Sequence, residues 1–344
     1  MIRKWEVAFI IIIVVALFLI AMQFGDHSSD GVEDNRLVVV SPHPVSFITP
    51  LIQEFENESG IRIELLSCGT STALESITSD ENVDVLWGGS LLAVGSCKDS
   101  FLSYKTLNRA AFKNEYREVS PEFTCFSDVP SVIMVNEDII GDIKIEGYED
   151  LLDERLKGQI AYASPGSSSS SFEHLVNMLY DMGNGDPEKG WDYAKKFAEN
   201  LDGNLLSGSS EVYQGVADGK YKVGLTFEEA AVTMLKEDKH IRIIYMNEGV
   251  LSTPDGIYIS KNSKRIENAE RFVDFLTSKD AQLYMASELG RRSVRKDVEA
   301  SGLVIPSEEI KHIEVDRDYV IENKSLWVER FISFVEDSTE EKEG

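Results

Sequence analysis

Five consecutive serines, Ser167–Ser171, are the residues of this chain whose type and spacing most favour ligand binding. They follow a short apolar run, residues 159–163, that predicts a buried strand. Apolar residues at helical spacing begin at Phe172 and predict a helix. Hydroxyls beside the free N–H groups of a helix start form an uncharged cradle that suits an anion. Composition alone leaves a solvated, serine-rich linker as the alternative.

Three more loops share this small, polar composition, and each lies at the end of a predicted strand. In open α/β sheets ligands collect outside the carboxyl ends of strands. The four loops together therefore predict a polar cleft. They are residues 41–46, which include Ser41 and His43; residues 67–72, which include Thr70 and Ser71; the serine tract, which includes Ser167, Ser168 and Ser169; and residues 207–210, which include Ser209.

The titratable side chains near these loops each allow two interpretations. His43, held between two prolines in an extended loop, would hydrogen-bond either to a ligand oxygen or to nearby backbone. Glu228 and Glu229 follow a predicted strand, so one would accept hydrogen bonds from sugar hydroxyls or both would be solvated at a helix start. The basic cluster at residues 291–295 would face an anion or a membrane partner, although a solvated helix end is the favoured interpretation.

Motifs of enzymes are weak or missing in the sequence. Residues 293–296 match S-x-x-K, but neither S-D-N nor K-T-G accompanies them. G-x-S-x-G, the P-loop and G-x-G-x-x-G do not occur. The five histidines are scattered and never four residues apart, which disfavours a catalytic zinc. We therefore expect a binding protein without catalytic residues, metal ion or cofactor.

Length and charge narrow the class further. The 344 residues are 42% hydrophobic, which is ample for a large core and favours two lobes. The net charge of −26 argues against a nucleic-acid partner, because no basic face would neutralise phosphates. An anionic small ligand remains compatible, since helix N-termini and hydroxyls bind phosphate without a net positive field.

The N-terminal residues have the pattern of a targeting segment. A basic start at Met1–Lys4 leads into Val7–Met22, which has no charged or polar side chain. Residues 1–24 are therefore a signal-anchor or a signal peptide, and the missing Ala-x-Ala site favours the anchor. Residues 25–35 are predicted to be a polar tether. We expect an extracytoplasmic protein, either membrane-anchored or secreted.

The three cysteines are Cys68, Cys97 and Cys125. In an exported protein one pair can form a disulfide, and Cys97–Cys125 is the pair expected here. Three reduced, buried thiols are an equally plausible alternative.

Apolar periodicity outlines the fold. Strands at residues 36–40, 61–66 and 83–87 alternate with helical stripes and predict a mostly parallel sheet covered by helices. A second series of strands and helices runs from residue 132 to residue 226. Further strands, two helices, a last helix at 326–335 and a frayed tail at 336–344 complete the prediction.

Several segments resemble the extracytoplasmic solute-binding proteins of ABC importers, in the ferric-ion-type family with the type II periplasmic-binding fold. The similarity covers nearly the whole exported part, and the combination of segments is more specific than any one of them. The segments are Val38–Pro44, Asp84–Gly89, Tyr148–Tyr162, Gly215–Gly219, Thr253–Gly256 and Gly290–Arg295.

The resemblance implies an α/β fold of two lobes joined by a two-strand hinge, with the ligand in the interlobe cleft. We place the hinge strands near residues 126–131 and 251–254. Lobe 1 would then comprise residues 36–128 and 254–344, and lobe 2 residues 129–253. A monomer that closes on one solute is expected.

The resemblance also implies a ligand class. Ferric-binding members use two adjacent tyrosines, and no two of the twelve tyrosines here are adjacent. The serine-rich loops are more similar to members that bind hexose phosphates or phosphoglycerate-like organophosphates. On that basis the phosphate oxygens would contact Ser41, Thr70, Ser71, Ser167, Ser168 and Ser169, and the hydroxylated remainder would contact His43, Ser209 and Glu228.

The implied partners are a small anionic solute and an ABC permease. Some relatives instead report ligand to a membrane histidine kinase, so a sensor kinase ectodomain is the alternative partner. Ferric-ion binding is a third interpretation that the missing tyrosine pair disfavours.

Overall fold

The computed structural model describes residues 35–80 and 82–343, with side chains to residue 338. The predicted targeting segment and all of the predicted tether except Asn35 lie outside the described residues. None of the described helices has both the length and the apolarity that a membrane span requires. Residues Arg36–Gly344 form one compact unit.

The first third of this unit alternates strands and helices as predicted. Strand β1 pairs in parallel with both β2 and β3, and all six β1 residues are matched in register with β2. The apolar residues of β1 are buried on both faces, as in a strand covered by helices. The elements are β1 (Arg36–Ser41), α1 (Val45–Ser59), β2 (Arg62–Ser67), α2 (Thr70–Ser79), β3 (Val85–Ser90) and the short α3 (Leu91–Val94).

Strand β4 (Thr124–Asn136) connects the two parts of the sheet. Its first half pairs with β8 (Ser252–Ile259) and β9 (Arg292–Ser293). Its second half pairs with β6 (Val223–Phe227) and β7 (Ile241–Ile244). All four pairings are antiparallel, so the parallel arrangement predicted from residues 36–40, 61–66 and 83–87 is confirmed for β1, β2 and β3 but does not extend to the whole sheet. The strands that pass between the two parts run in opposite directions, which makes the sheet mixed.

The two segments predicted to form the hinge are hydrogen-bonded neighbours. Asp128 pairs with Pro254, and Val129 pairs with Thr253. The pairing ends where the Ser131 N–H donates to the Leu251 carbonyl at 3.0 Å. Two adjacent chain crossings are what a hinge between lobes requires.

Helices cover both parts of the sheet. Helix α4 starts after Ser168, whose hydroxyl accepts a hydrogen bond from the Ser171 N–H at 3.4 Å. The last helix is longer than predicted and includes residues 336–343 of the tail expected to be frayed. Together with the two-residue β5 (Ile160–Ala161), the remaining elements are α4 (Ser169–Met182), α5 (Trp191–Leu201), α6 (Ser209–Ala217), α7 (Glu228–Lys236), α8 (Ile266–Leu276), α9 (Lys279–Leu289) and α10 (Arg317–Glu343).

Helix α10 packs on the second part of the sheet. Its buried Trp327 and Phe331 belong to the apolar cluster that contains Phe172 and Phe197. Trp327 also packs edge-on against Trp191 of α5, with ring centroids 6.4 Å apart. The prediction placed residues 254–344 in lobe 1, but the apolar face of α10 is buried among lobe 2 residues. The other lobe boundaries remain a prediction.

The cysteines are reduced. Cys68, Cys97 and Cys125 are all free thiols, so the expected Cys97–Cys125 disulfide is wrong. Cys125 is buried in β4 within an apolar cluster, and burial raises the pKa of its thiol.

The packing of α10 predicts different effects for two adjacent residues. Trp327→Ala should lower the free energy of unfolding by about 3–5 kcal/mol, because it empties a fully buried site. Leu326→Ala should change it by less than about 0.5 kcal/mol, since 61% of Leu326 is exposed. Urea unfolding of both variants measures the difference, and equal effects would contradict the packing.

Candidate functional site

A cavity of about 80 Å³ lies where the four predicted loops meet. The first loop contributes His43 and the second Thr70. The third contributes the serine tract, and the fourth Ser209. The cavity thus takes residues from both parts of the sheet, as expected for a cleft that has closed.

Three helices begin at this cavity. Gly69, Ser168 and Gly208 precede α2, α4 and α6, and each has the extended backbone of an N-cap residue. The first N–H groups of a helix lack intrahelical partners and carry partial positive charge. No side chain at the N-cap position satisfies these groups in α2 or α6. The cavity wall is therefore suited to an anion, even though the whole chain is acidic.

Hydroxyl contacts join the opposite walls of the cleft. Thr70 Oγ1 donates to Ser169 Oγ at 3.3 Å, and Ser71 Oγ donates to the Gly166 carbonyl at 2.8 Å. The donors in both contacts are hydroxyl groups, which can rotate and donate to a ligand oxygen instead. The closed arrangement is held by polar groups that also suit a ligand.

His43 is a buried, uncharged group in the cavity wall. Burial is the larger of two causes that hold the pKa of His43 well below its ordinary value. The positive charge of Arg291 is the second cause. Its Nε2 lies 3.3 Å from Asp255 Oδ2, yet no described group makes a hydrogen bond to this nitrogen. A buried polar atom without a partner is uncommon in folded proteins.

Arg291 is buried, and it is one of the residues that line the cavity. Gly290 ends α9 in the left-handed conformation, with φ of 71°, and turns the chain inward at this point. The Arg291 guanidinium donates to Glu229 Oε2 at 2.7 Å and to Asp255 Oδ2 at 2.9 Å. Arg292 is buried too, and it pairs with Glu228 through two hydrogen bonds of 2.8 and 2.7 Å. The interpretation of residues 291–295 as a solvated helix end is therefore wrong.

Six of the nine predicted binding residues line the cavity. These are His43, Thr70, Ser167, Ser168, Ser169 and Ser209.

The other three predicted residues make contacts within the protein. Ser41 is buried, donates to the Trp87 carbonyl at 2.7 Å and accepts from the His43 N–H at 3.2 Å, so it positions the loop. Ser71 makes the cleft contact described above and does not line the cavity. Glu228 is occupied by Arg292, and the Tyr245 hydroxyl also donates to it, at 2.5 Å.

Sequence reasoning missed Glu173, a buried carboxyl group in the cavity wall. The Ser90 hydroxyl of the opposite wall donates to it. Burial raises the pKa of Glu173 to about 7. The hydroxyls of Ser90 and Thr253 and the positive charge of Lys324 oppose this increase. The sequence contains one indication of this position. Glu173 follows Ser169 by four residues, so both side chains lie on the same face of the helix.

The family comparison agrees with the fold and the site. A family model described as bacterial extracellular solute-binding protein matches residues 51–312, and the chain belongs to this family. The family consists of binding proteins for ABC importers, so the protein is not an enzyme. Membership implies an extracytoplasmic location, a small solute and a permease partner.

The names of individual relatives state different ligands. The chain is 24% identical to iron uptake protein A1 of Synechocystis over 251 residues. The match covers 69% of each chain. It superposes with a TM-score of 0.79 on the periplasmic binding protein AfuA from Actinobacillus pleuropneumoniae with fructose-6-phosphate bound. That match is 20% identical and covers 88% of this chain and 98% of AfuA.

A third match is to a protein whose name states signalling. It is a solved structure entitled "Two-component system protein mediate signal transduction", with a TM-score of 0.69 and 30% identity. The match covers 83% of this chain and 98% of that one. The type II periplasmic-binding fold is thus shared by importer and signalling proteins.

The raised pKa of Glu173 predicts a pH-dependent stability difference. Folding raises this pKa from 4.5 to about 7, so the folded protein holds the proton more tightly and loses stability as the pH rises between these values. Between pH 4.5 and pH 7.5, the free energy of unfolding of the wild type should fall by on the order of 3 kcal/mol relative to that of Glu173→Gln. Urea unfolding of both proteins across this range measures it. A pH-independent difference would contradict the assigned environment.

Proposed function

We propose that this protein captures a small phosphorylated solute, a sugar phosphate or similar organophosphate, for an ABC importer by closing its two lobes on it. The solute would lie in the cavity between the lobes. Its phosphate would be bound by helix N-termini and hydroxyls, and hinge closure across β4 and β8 would bury it.

The convergence of α2, α4 and α6 on one cavity carries the proposal. A phosphate group has oxygens enough to accept hydrogen bonds from several helix starts at once, and each start adds a favourable partial charge. Thr70, Ser169 and Ser209 add hydroxyl donors at the same places. The fructose-6-phosphate bound to AfuA is a ligand of this class in a protein of the same fold.

The side chains around the cavity do not favour ferric ion. Hard cations such as Fe³⁺ are held by anionic oxygen ligands, and the tyrosine phenolate pair is missing from the sequence. Among the described residues no tyrosine lines the cavity. The carboxylates of Glu229 and Asp255 are engaged by Arg291.

Ligand-dependent thermal stability tests the solute class. The purified protein should melt at a higher temperature with phosphate, fructose 6-phosphate or 3-phosphoglycerate, because a ligand bound only to the folded state stabilises it. Ferric citrate should leave the melting temperature unchanged. A shift with ferric citrate and none with the organophosphates would refute the proposal.

Removing a cavity hydroxyl should weaken binding of whichever phosphorylated solute shifts the melting temperature. Ser169→Ala should raise the Kd by roughly tenfold through the loss of a hydrogen bond to a charged group. Ser333→Ala is the matched control, since Ser333 lies on α10 away from the cavity and bonds the Arg330 carbonyl. Isothermal titration calorimetry compares the two. Equal affinities would show that the serine tract does not hold the anion.

Sensing is a second candidate function, favoured by the 30% identity to a two-component signalling protein. In that case the closed form would be recognised by the outer domain of a membrane histidine kinase. Affinity purification of the membrane complex distinguishes the two functions. A permease in the purified complex supports import, and a histidine kinase supports sensing.

A further inference from the structure

A second, larger cavity adjoins the one at the three helix starts, which is called the anion cavity below. The second cavity has a volume of about 390 Å³. Phe47 of α1 and Leu289 of α9, which pack on the first part of the sheet, form one side of it. Tyr213 of α6 and Met234 of α7, which pack on the second part, form the other. Phe227, at the end of β6, lines both cavities.

One face of α6 runs from the anion cavity into the second cavity. Ser209, the first residue of the helix, lines the anion cavity. Tyr213 and Ala217 follow it at intervals of four residues and line the second cavity. Residues with this spacing share a face of the helix, with their Cβ atoms about 6 Å apart. The two cavities therefore lie about one helical turn apart, a distance that a ring attached to a phosphate can cover.

The volume of the anion cavity limits what it can hold alone. Its volume of about 80 Å³ is that of about three water molecules in the liquid, which is room for one anionic group and little more. Pockets that hold a whole ligand measure about 300–1,000 Å³, and the second cavity lies within this range. The part of an organophosphate that does not carry the phosphate therefore needs space outside the anion cavity.

The wall of the second cavity nearest the anion cavity is apolar. The Tyr213 and Phe227 rings pack edge-on, with their centroids 6.3 Å apart. Ala217, Ala230 and Met234 extend this wall. Aromatic and aliphatic groups of this kind pack well against the apolar face of a ring.

The charged groups of the second cavity disfavour another anion there. Lys236 donates to two of the last carbonyls of α9, at 3.0 and 2.6 Å. Lys239 pairs with Asp218 at 2.7 Å. Glu237 and Glu288 also line the cavity, and among the described side chains neither carboxylate pairs with a cation. A second phosphate would therefore lie near two carboxylates, and like charges brought together are unfavourable.

We propose that the second cavity binds the uncharged, ring-bearing remainder of a solute whose single phosphate lies at the helix starts. This inference rests on the proposed function and deepens it. The remainder would pass Phe227 and pack against Tyr213 on the face of α6. The protein would thereby select ring-sized phosphate monoesters over shorter ones and over those with a second anion at the far end.

Three ligands test the proposal: methyl phosphate, fructose 6-phosphate and fructose 1,6-bisphosphate. The first has no group that reaches the second cavity, and the third would place another phosphate in it. By isothermal titration calorimetry on the full-length protein at pH 7, fructose 6-phosphate should bind roughly tenfold or more tightly than each of the other two.

Gln214→Trp tests the location of the remainder. Gln214 is an exposed residue of α6 that lines the second cavity, so a tryptophan there fills the cavity without disturbing the core. The Kd of fructose 6-phosphate should rise by roughly tenfold, and that of methyl phosphate should change by less than about twofold. Gln53→Trp is the matched control, because Gln53 is exposed on α1 and lines neither cavity. It should change neither Kd.

Fructose 6-phosphate that binds no more tightly than the other two ligands would overturn the assignment of the second cavity and leave the proposed function intact. The same conclusion follows if Gln214→Trp weakens the binding of both ligands equally or of neither. Should none of the three ligands bind, and none of the organophosphates in the thermal screen, both proposals fail. If Gln214→Trp does not fold, the three ligands on the wild type decide alone.

Discussion

The buried guanidinium of Arg291 is the interaction on which the rest of the site depends. It joins Ser127 of β4, Asp255 of β8 and Glu229 of α7 by hydrogen bonds, so it connects the crossing strands to a helix of the second part of the sheet. Its charge also lies 4.5 Å from the Phe47 ring centroid. Buried charges are tolerated only when they are paired, because an unpaired one costs several kcal/mol. The network therefore fixes where β4, β8 and α7 can lie.

Beside this network, the cavity wall combines helix starts with a buried carboxyl group. The starts of α2, α4 and α6 supply partial positive charge without any cationic side chain, whereas Arg291 is already neutralised by its own carboxylates. In the proposed function, anion binding would rely on backbone groups and hydroxyls, which need no net positive charge on a chain of net charge −26. Glu173 makes the far wall acidic, and the closed form brings Ser90 against it.

Local sequence patterns predicted the parts of this site that local chemistry determines. A strand, a run of serines and an apolar helical stripe were enough to place the start of α4, and similar junctions located Thr70 and Ser209. Arg291 was interpreted as solvated because its partners Glu229 and Asp255 lie 62 and 36 residues away in sequence, and the role of Asp255 was missed for the same reason. A cluster of arginines after a helix ordinarily lies in solvent, and only the tertiary fold shows that carboxylates from other elements surround this one. The antiparallel pairing of β4 and the packing of α10 were not predicted for the same reason, since both depend on long-range contacts.

The central claim is that three helix starts hold one anionic group between the lobes. Arsenate has the shape and charge of phosphate and scatters X-rays anomalously, so a crystal grown with arsenate would locate this group directly. The account predicts one anomalous peak within hydrogen-bond distance of Thr70, Ser169 and Ser209. A crystal of the closed protein with no peak in this cavity, or with arsenate bound only on the outer surface, would contradict it.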